Sequence, residues 1–354
     1  MTILGLDIGG ANIKAADEAG RAVSRPFAIW RQPEQLEDQI TSILNEFPQT
    51  DRLALTMTAE LADCFSTKSE GVRFIINAVE NSIDASVSSR AGVNSSSVQP
   101  PRFNLMTWTT DARFVSPDEA RESSMRVAAA NWNALATWSM KFAPSGSGVL
   151  IDIGTTTTDI IPFEDGKPVP IGLTDVNRLQ SGELSYSGIR RTPLCAVAHS
   201  VPLENGYCSL AAEVFATTLD VHLLLGDIAE DAQDLDTANG KPATKQAAHD
   251  RIARMLCCDR DEVSYEQAVH IAMFLADVQR QRLAGSLERV INRRSSACST
   301  IIVSGSGSFL ARQLIHENRK TKDATVISLA DQFSPEIAEA ACAYAVAQLA
   351  SKSQ

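Results

Sequence analysis

Asp-Ile-Gly occurs twice in this chain, each time between two apolar segments, and that repetition constrains the fold more than anything else. The first copy is Ile3-Leu4-Gly5-Leu6-Asp7-Ile8-Gly9-Gly10-Ala11-Asn12-Ile13-Lys14. The second runs Gly148-Val149-Leu150-Ile151-Asp152-Ile153-Gly154-Thr155-Thr156-Thr157-Thr158-Asp159 and leaves through Ile160-Ile161-Pro162-Phe163. Each reads as strand, glycine turn and strand, and each reaches a further turn, at Asp17-Glu18-Ala19-Gly20 and at Glu164-Asp165-Gly166. A unit repeated in sequence implies a unit repeated in structure. Two related domains facing each other are therefore expected, and 354 residues suffice for two cores of ordinary size.

The surrounding pattern fills in those domains. Strands are expected at 3–8, 11–16, 21–28 and 52–57, with a helix opened by Pro33 and ended by Pro48. Strand 52–57 delivers Thr56, Thr58, Glu60 and Asp63 to its C-terminal end. Ser66 is read as the cap of a helix over 67–80, and the Ser- and Asn-rich residues 82–100 as a surface excursion around a short strand. Phe103 to Phe114 contains a further strand. Ser116-Pro117-Asp118-Glu119 starts a helix expected to run to about Phe142, with a cap, a proline in the first turn and acids against the dipole. Pro144-Ser145-Gly146-Ser147-Gly148 breaks it. The first domain is accordingly 1–145 and the second 146–334, with a closing helix, 335–350, packing back on the first.

In the second half, strands are expected near 149–153, 158–163, 168–172, 300–303 and 325–328. Helices are expected near 208–226, 245–257, 262–282, 284–293 and 309–317, and a long loop over 180–192.

A glycine at each bend lets a ligand approach the backbone, and neighbouring hydroxyl, amide and ammonium groups can donate to an anion. This makes Gly9, Gly10, Asn12 and Lys14, together with Gly154, Thr155, Thr156 and Thr157, the candidate phosphate-binding residues. With the domains face to face, Asp7 and Asp152 would flank one cleft, holding Mg²⁺ or orienting a nucleophile. Gly305-Ser306-Gly307, between a strand and a helix, is a candidate seat for a nucleotide or substrate moiety. The chain has no G-x-x-x-x-G-K-[ST] motif, and Leu310 interrupts the dinucleotide-binding spacing.

The net charge of −11 argues against nucleic acid or an anionic membrane as the main partner. The seven cysteines, at 64, 195, 208, 257, 258, 298 and 342, include no C-x-x-C pair and form neither a disulfide framework nor a zinc site. No run approaches the roughly 20 apolar residues a membrane helix needs. With no signal-like leader either, the cytoplasm is the expected location. The five histidines show no metal spacing; His222 and His270 fall in apolar helical patterns and are read as core residues.

These features resemble the actin, sugar kinase and heat-shock ATPase superfamily, and more closely its hydantoinase/oxoprolinase-like branch. Three stretches sharpen the resemblance: Met57-Thr58-Ala59-Glu60-Leu61-Ala62-Asp63-Cys64-Phe65 with Lys68 and Glu70-Gly71-Val72; Arg178-Leu179-Gln180-Ser181-Gly182-Glu183-Leu184; and Tyr186-Ser187-Gly188-Ile189-Arg190-Arg191-Thr192-Pro193. They look like the small subfamily linked to tetrahydromethanopterin one-carbon transfer and methanofuran biosynthesis. The resemblance covers nearly the whole chain.

It implies an α/β fold of two actin-like (ribonuclease H-like) domains with mixed sheets around a central cleft. It also implies a transferase that joins an aminomethylfuran-methyl diphosphate to the phenol of a (glutamyl)tyramine and releases diphosphate. Such chemistry suits Mg²⁺ and donors for the leaving group. Glu60 or Asp63 would then be the base for the phenol, and Lys14, Lys68, Arg190 and Arg191 cations for the diphosphate. The expected partners are a small-molecule diphosphate and a phenolic acceptor, without nucleic acid or membrane, and a homodimer stays open. Two alternatives stand beside this: an ATP-dependent small-molecule kinase, with ATP as the ligand, and a nucleotide-sensing assembly protein.

Overall fold

The computed structural model describes residues 2–91, 104–294 and 296–353. The chain forms two compact units. One comprises 1–146, 163–177 and 329–354; the other comprises 147–162 and 178–328.

The first unit opens with three strands, β1 (Thr2–Ile8), β2 (Asn12–Asp17) and β3 (Ala22–Pro26), followed by α1 (Leu36–Glu46), β4 (Thr50–Met57) and α2 (Lys68–Ala91). Then come β5 (Asn104–Trp108), β6 (Phe114–Val115), α3 (Pro117–Glu122), α4 (Ser124–Val127) and α5 (Asn131–Ser139). The sheet order is β3-β2-β1-β4-β5-β6, antiparallel at β1–β2 and parallel at β1–β4. A strand buried on both faces reads as a near-continuous apolar run, and β1 does so. Leu4, Leu6 and Ile8 enter a core with Ile40, Ile43, Ile75 and Val79 of α1 and α2. On the opposite face Ile3 joins Ala134 of α5 and residues of the closing helix.

The second unit begins with β7 (Ser147–Ile153) and β8 (Thr158–Glu164); the end of β8, β9 (Lys167–Pro168) and the start of α6 (Asp175–Ser181) belong to the first unit, and the second resumes within α6 and continues to β10 (Leu184–Ser185). A helical region comes next: α7 (Leu194–Val197), the hairpin β11 (Ser200–Leu203) and β12 (Gly206–Ser209), α8 (Thr218–Leu225), α9 (Lys245–Met255) and α10 (Tyr265–Asn292). In it, Asp220 of α8 accepts a hydrogen bond from Arg251 Nε at 2.6 Å, both side chains fully buried. The unit closes with β13 (Thr300–Ser304), α11 (Ser308–Glu317) and β14 (Thr325–Ser328), giving the order β10-β8-β7-β13-β14.

The two sheets repeat one plan: a hairpin at the turn, then parallel strands reached through helical crossovers. This is a mixed α/β fold with two mixed sheets. Finally α12 (Pro335–Glu339) and α13 (Ala341–Lys352) return to the first unit. A Cβ on Gly5 would stand 2.0 Å from the carbonyl oxygen of Ala343, so only glycine admits α13 this close to β1.

Several local expectations are corrected. Helix α2 continues through 82–91, where a surface excursion was expected; residues 92–100 of that stretch lie outside the described residues. Ser82 explains the first part, because its hydroxyl bonds the carbonyls of Ala78 and Glu37 and lets a polar residue pack between α2 and α1. The cap of α2 is Thr67, whose hydroxyl accepts from Glu70 N–H at 3.1 Å, and not Ser66. The helix expected over 116–142 is three helices, interrupted at Ser123 and again at Ala129, where φ is +49°. Residues 208–209 are strand. The helix there starts at Thr218, set by a capping box of Thr217 and Asp220. The helices expected at 262–282 and 284–293 are one, α10. His222 is buried as expected, but His270 is exposed. Among the described residues no helix is long and apolar enough to cross a membrane.

Candidate functional site

In the first unit the register of three strands aligns three chemistry-bearing residues. Asp7 on β1 pairs with Lys14 on β2 and with Thr56 on β4. Paired residues on adjacent strands share a face, so these side chains form one row across the sheet. Asp7 is 6% exposed. Burial pushes its carboxyl up from 3.8 to about 6, against the opposing pull of Lys14 and of a hydrogen bond from the Asn131 side chain. Asn131 Oδ1 accepts from Trp132 N–H at 2.7 Å, which leaves its amide nitrogen to donate to Asp7. Asp7 Oδ1 and Thr56 Oγ1 are both buried without a hydrogen-bond partner. A buried acceptor of that kind costs about 1–3 kcal/mol unless something binds it.

The turn beside Asp7 is closed by Gly9 N–H donating to the carbonyl of Asn12 at 2.9 Å. Thr58 N–H holds the Ile8 carbonyl at 2.9 Å and Ile29 N–H the Gly10 carbonyl at 3.2 Å. A Cβ on Gly10 would meet nothing within 4 Å. The turn is therefore fixed from below and open above.

Glu60 follows β4 in a single 3₁₀ turn and is 1% exposed. Burial raises its carboxyl from 4.5 to about 7, and Asp175 adds to the rise. Its own N–H, the Lys68 charge and the backbone N–H of Ala129 oppose it. The left-handed break at Ala129 thus turns a backbone donor onto Glu60. Glu60 Oε2 has no hydrogen-bond partner. Gly71 lets the first turn of α2 lie on this segment, since a Cβ there would sit 2.4 Å from the Glu60 carbonyl oxygen. That contact brings Lys68 near, and its Nζ lies 3.5 Å from Asp175 Oδ2. Asp63, the other candidate base, is exposed. Cys64 is half-buried with its thiol pushed up by burial, which does not favour a thiolate nucleophile.

In the second unit the same arrangement recurs on a different background. Gly154 N–H donates to the Thr157 carbonyl at 2.9 Å, and Asp152 stands in register with a hydroxyl residue, Ser304, on the neighbouring parallel strand. Thr155, Thr156 and Thr157 are half-buried, with Thr155 Oγ1 and Thr156 Oγ1 3.4 Å apart.

Backbone donors surround this turn. Gly307 N–H takes the Ile153 carbonyl at 2.9 Å, Ile189 N–H that of Gly154 at 3.1 Å, and Arg190 and Arg191 N–H both take that of Thr155 at 3.0 Å. A Cβ on Gly188 would lie 2.5 Å from Thr156 N; one on Gly305, where φ is +84°, would lie 2.6 Å from Asp152 Oδ1. Gly305, Ser306 and Gly307 therefore run along the Asp152 turn. The Arg190 side chain pairs with Asp234 at 2.5 Å. Arg178, nearly fully buried, pairs with Asp159.

The structure thus gathers Asp7, Lys14 and Thr56 in one row, with Asn131 of α5 bonded to Asp7, and Glu60, Lys68, Ala129 and Asp175 in another cluster of the same unit. In the other unit it gathers Asp152, Gly154–Thr157, Gly188, Arg190, Arg191 and Gly305–Gly307. Sequence reasoning missed Asn131, Ala129, Asp175 and Gly188. For Asn131 a signal existed: asparagine is a poor helix interior and a good helix start.

The Hydantoinase/oxoprolinase family model matches residues 51–352. The chain belongs to this family. A relative from Methanocaldococcus jannaschii, the (4-{4-[2-(gamma-L-glutamylamino)ethyl]phenoxymethyl}furan-2-yl)methanamine synthase, is 31% identical over 353 residues, covering 99% of this chain and 98% of its own. A synthase of the same name from Methanococcus vannielii is 30% identical over 201 residues, covering 57% of this chain and 89% of its own. Among solved structures, a nucleotide-free acetone carboxylase aligns with 98% of this chain and 70% of its own at a TM-score of 0.54 and 12% identity, which shows a shared fold.

Proposed function

We propose that this protein is a transferase that condenses an aminomethylfuran-methyl diphosphate with the phenol of a (glutamyl)tyramine and releases diphosphate. The step belongs to methanofuran-type carrier biosynthesis in tetrahydromethanopterin-linked one-carbon metabolism, in the cytoplasm. One observation carries the reading: a full-length relative is named for a product in which a phenol oxygen is bonded to a furylmethyl carbon. An ether of that kind forms when a phenol oxygen displaces a leaving group from the furylmethyl carbon.

The chemistry asks for a base for the phenol and a receptor for the diphosphate. Glu60 supports the first role. Its carboxyl, raised to about 7, is half ionised near neutral pH and far more basic than an exposed glutamate, as general-base catalysis of a phenol needs. Its unpartnered Oε2 is free to accept the phenolic proton. The phenol oxygen forms the new C–O bond while the C–O bond to diphosphate breaks, and the diphosphate leaves with the electron pair. Each unit carries a turn with donors suited to such a leaving group: Gly9–Asn12 with Lys14 in the first, and the hydroxyls and backbone of Gly154–Thr157 in the second. Asp63, being exposed, is the weaker candidate for the base.

The residues fit Mg²⁺. Magnesium bound to a diphosphate needs only one or two protein carboxylates, and Asp7 offers an unpartnered, buried oxygen beside the Thr56 hydroxyl. Asp7 is the residue of the first unit that would hold it. Bound there, Mg²⁺ would neutralise charge building on the diphosphate. Among the described residues no group of three His, Cys, Asp or Glu side chains could hold a metal ion by itself, so a cation here would depend on ligand oxygens as well.

The test is direct. Purified protein given the furylmethyl diphosphate, glutamyltyramine and Mg²⁺, without ATP, should yield the aryl ether and one diphosphate per turnover. Turnover of ATP with a small alcohol, and no ether, would make the protein a kinase. ATP binding with no stimulated hydrolysis would make it an assembly protein.

A further inference from the structure

The Gly154–Thr157 turn does not stand alone on its strands. The loop that packs over it, Ser187 to Arg191, is held from the other side by a chain of buried polar groups that the proposed chemistry does not use. Gln279, in the middle of α10, is 1% exposed. Its Nε2 donates to the carbonyl of Gly188 at 2.8 Å and to Ser187 Oγ at 3.0 Å. A carbonyl oxygen only accepts, so the amide orientation is fixed by chemistry. Gln279 Oε1 must then face His222 Nε2, 3.2 Å away, and that nitrogen must carry the hydrogen. His222, 1% exposed, meets Asp227 Oδ2 through its other nitrogen at 3.0 Å and lies edge-on to Phe309.

Three threonines complete the frame. Thr218 Oγ1 donates to the same Gly188 carbonyl at 2.8 Å, Thr158 Oγ1 donates to the Ser187 carbonyl at 2.7 Å, and Gly188 N–H donates to Thr192 Oγ1 at 3.0 Å. Every backbone polar group of Ser187–Gly188 that these bonds reach is thereby fixed in direction. The next three N–H groups, of Ile189, Arg190 and Arg191, are the ones that hold the carbonyls of Gly154 and Thr155. The start of α8 also bonds the loop directly, Thr218 N–H to the Thr192 carbonyl at 2.9 Å and Leu219 N–H to the Arg190 carbonyl at 3.4 Å, and loop and turn lie so close that a Cβ on Gly188 would stand 2.5 Å from Thr156 N.

We infer that Gln279 and His222 are positioning residues for the anion-binding turn, transmitting the rigidity of α8 and α10 through Ser187–Gly188 to Gly154–Thr157. The inference rests on the reading that this turn receives the diphosphate. Preorganised donors bind an anion well because they need not be ordered when it arrives, and a buried, fully partnered polar chain is a means of holding them so.

The test uses the full-length protein, Gln279→Leu and, in case that variant folds poorly, the pair His222→Gln and His222→Leu. Inorganic diphosphate is the probe, measured by calorimetry, with amide hydrogen exchange measured alongside. Gln279→Leu removes three buried hydrogen bonds; the part transmitted to the turn is expected to weaken diphosphate binding about tenfold, and exchange should rise at 154–157 and 188–191 while α9 and α11 keep their protection. His222→Gln retains a donor for Gln279 and is expected to hold both quantities near those of the unaltered protein, whereas His222→Leu is not. In steady state the loss should fall on KM for the diphosphate substrate more than on kcat. Unchanged exchange at both segments in Gln279→Leu and His222→Leu overturns the positioning role. So does a uniform rise across the unit, which is what a merely structural role gives. If the unaltered protein binds no diphosphate, the functional reading of the turn fails, and the exchange experiment still decides whether the relay orients it.

Discussion

The two Asp-Ile-Gly turns share a backbone and differ in what surrounds them. Both are closed by the glycine N–H on a carbonyl three residues on, at 2.9 Å, and both place the aspartate opposite a hydroxyl residue of the adjacent parallel strand. Around Asp7 the environment is made of side chains: Lys14, Thr56 and Asn131 about a desolvated carboxyl, with open space over Gly10. Around Asp152 it is made of backbone, with Gly188, Gly305 and Gly307 pressed against the turn and its carbonyls taken by N–H groups of neighbouring loops. One backbone design therefore supports two tasks. The first turn offers groups whose charge can change, and the second offers a fixed cradle.

The largest effect should come from neutralising the carboxylate of the cradle. Asp152→Asn is expected to abolish ether formation while leaving the circular dichroism spectrum and Tm nearly unchanged, because an amide fits where the carboxylate stood. An Asp152→Asn protein that still turned over at full rate would remove that residue from the chemistry. Next in size is Glu60→Gln. Losing a general base slows the chemical step by about 10²–10⁴-fold. The unaltered enzyme should show kcat/KM rising with pH up to about 7, as Glu60 ionises, and the variant should lose that limb.

Stability should move the other way. A carboxyl raised in the folded state binds its proton more tightly there than in the unfolded chain, so it costs stability as pH climbs from 4.5 to about 7. Glu60→Gln should therefore be the more stable protein at pH 8, by up to about 3 kcal/mol, and should lose most of that advantage by pH 4. Urea denaturation at the two pH values checks both signs.

How far the sequence could be read follows the same division. The strands and turns were legible because two copies of one pattern announce them, and β1's alternation of Leu4, Leu6 and Ile8 with Gly5 and Asp7 gives both faces of the sheet. The row Asp7–Lys14 was within reach once β1 and β2 were taken as a hairpin. What stayed hidden depends on tertiary contact. Ala128-Ala129-Ala130 is an excellent helix former by propensity, yet the chain breaks there, with φ at +49° at Ala129 and its N–H on Glu60. No local signal predicts a donor owed to a residue some seventy positions earlier. Likewise Ser82, Asp84 and Ser86 lower the helical appeal of 82–91. Helix α2 nevertheless continues, because Ser82 folds its hydroxyl back onto Ala78 and across to α1. Gly188 was visible as a residue, but its need for glycine is set by Thr155 and Thr156, more than thirty positions away.

A smaller effect tests the side-chain half of the comparison. Asn131→Ala removes a hydrogen bond that helps hold Asp7 ionised, so the Asp7 carboxyl should rise further above about 6. Loss of one bond to a charged group amounts to about 1.5–3 kcal/mol at most. Activity should fall about tenfold at pH 6 and recover part of the way at pH 8, where Asp7 ionises regardless. A loss equal at both pH values would mean that Asn131 acts on something other than the charge of Asp7.

The smallest effects on stability separate the open turn from the packed one. Gly188→Ala forces a methyl to 2.5 Å from Thr155 C and Thr156 N, a backbone clash with nowhere to relax, and should destabilise by about 1–3 kcal/mol. Gly10→Ala meets nothing within 4 Å and, by stiffening the unfolded chain, should change stability by less than about 1 kcal/mol in either direction. The two variants should differ in binding as well. A methyl on Gly10 occupies the space above the first turn, where a phosphate oxygen would approach the backbone. Its cost should therefore appear as a raised KM for the diphosphate substrate in a protein of ordinary Tm. If Gly10→Ala leaves both KM and Tm untouched, the open space over the first turn is not a ligand seat, and the division between a reactive turn and a rigid one has to be drawn elsewhere.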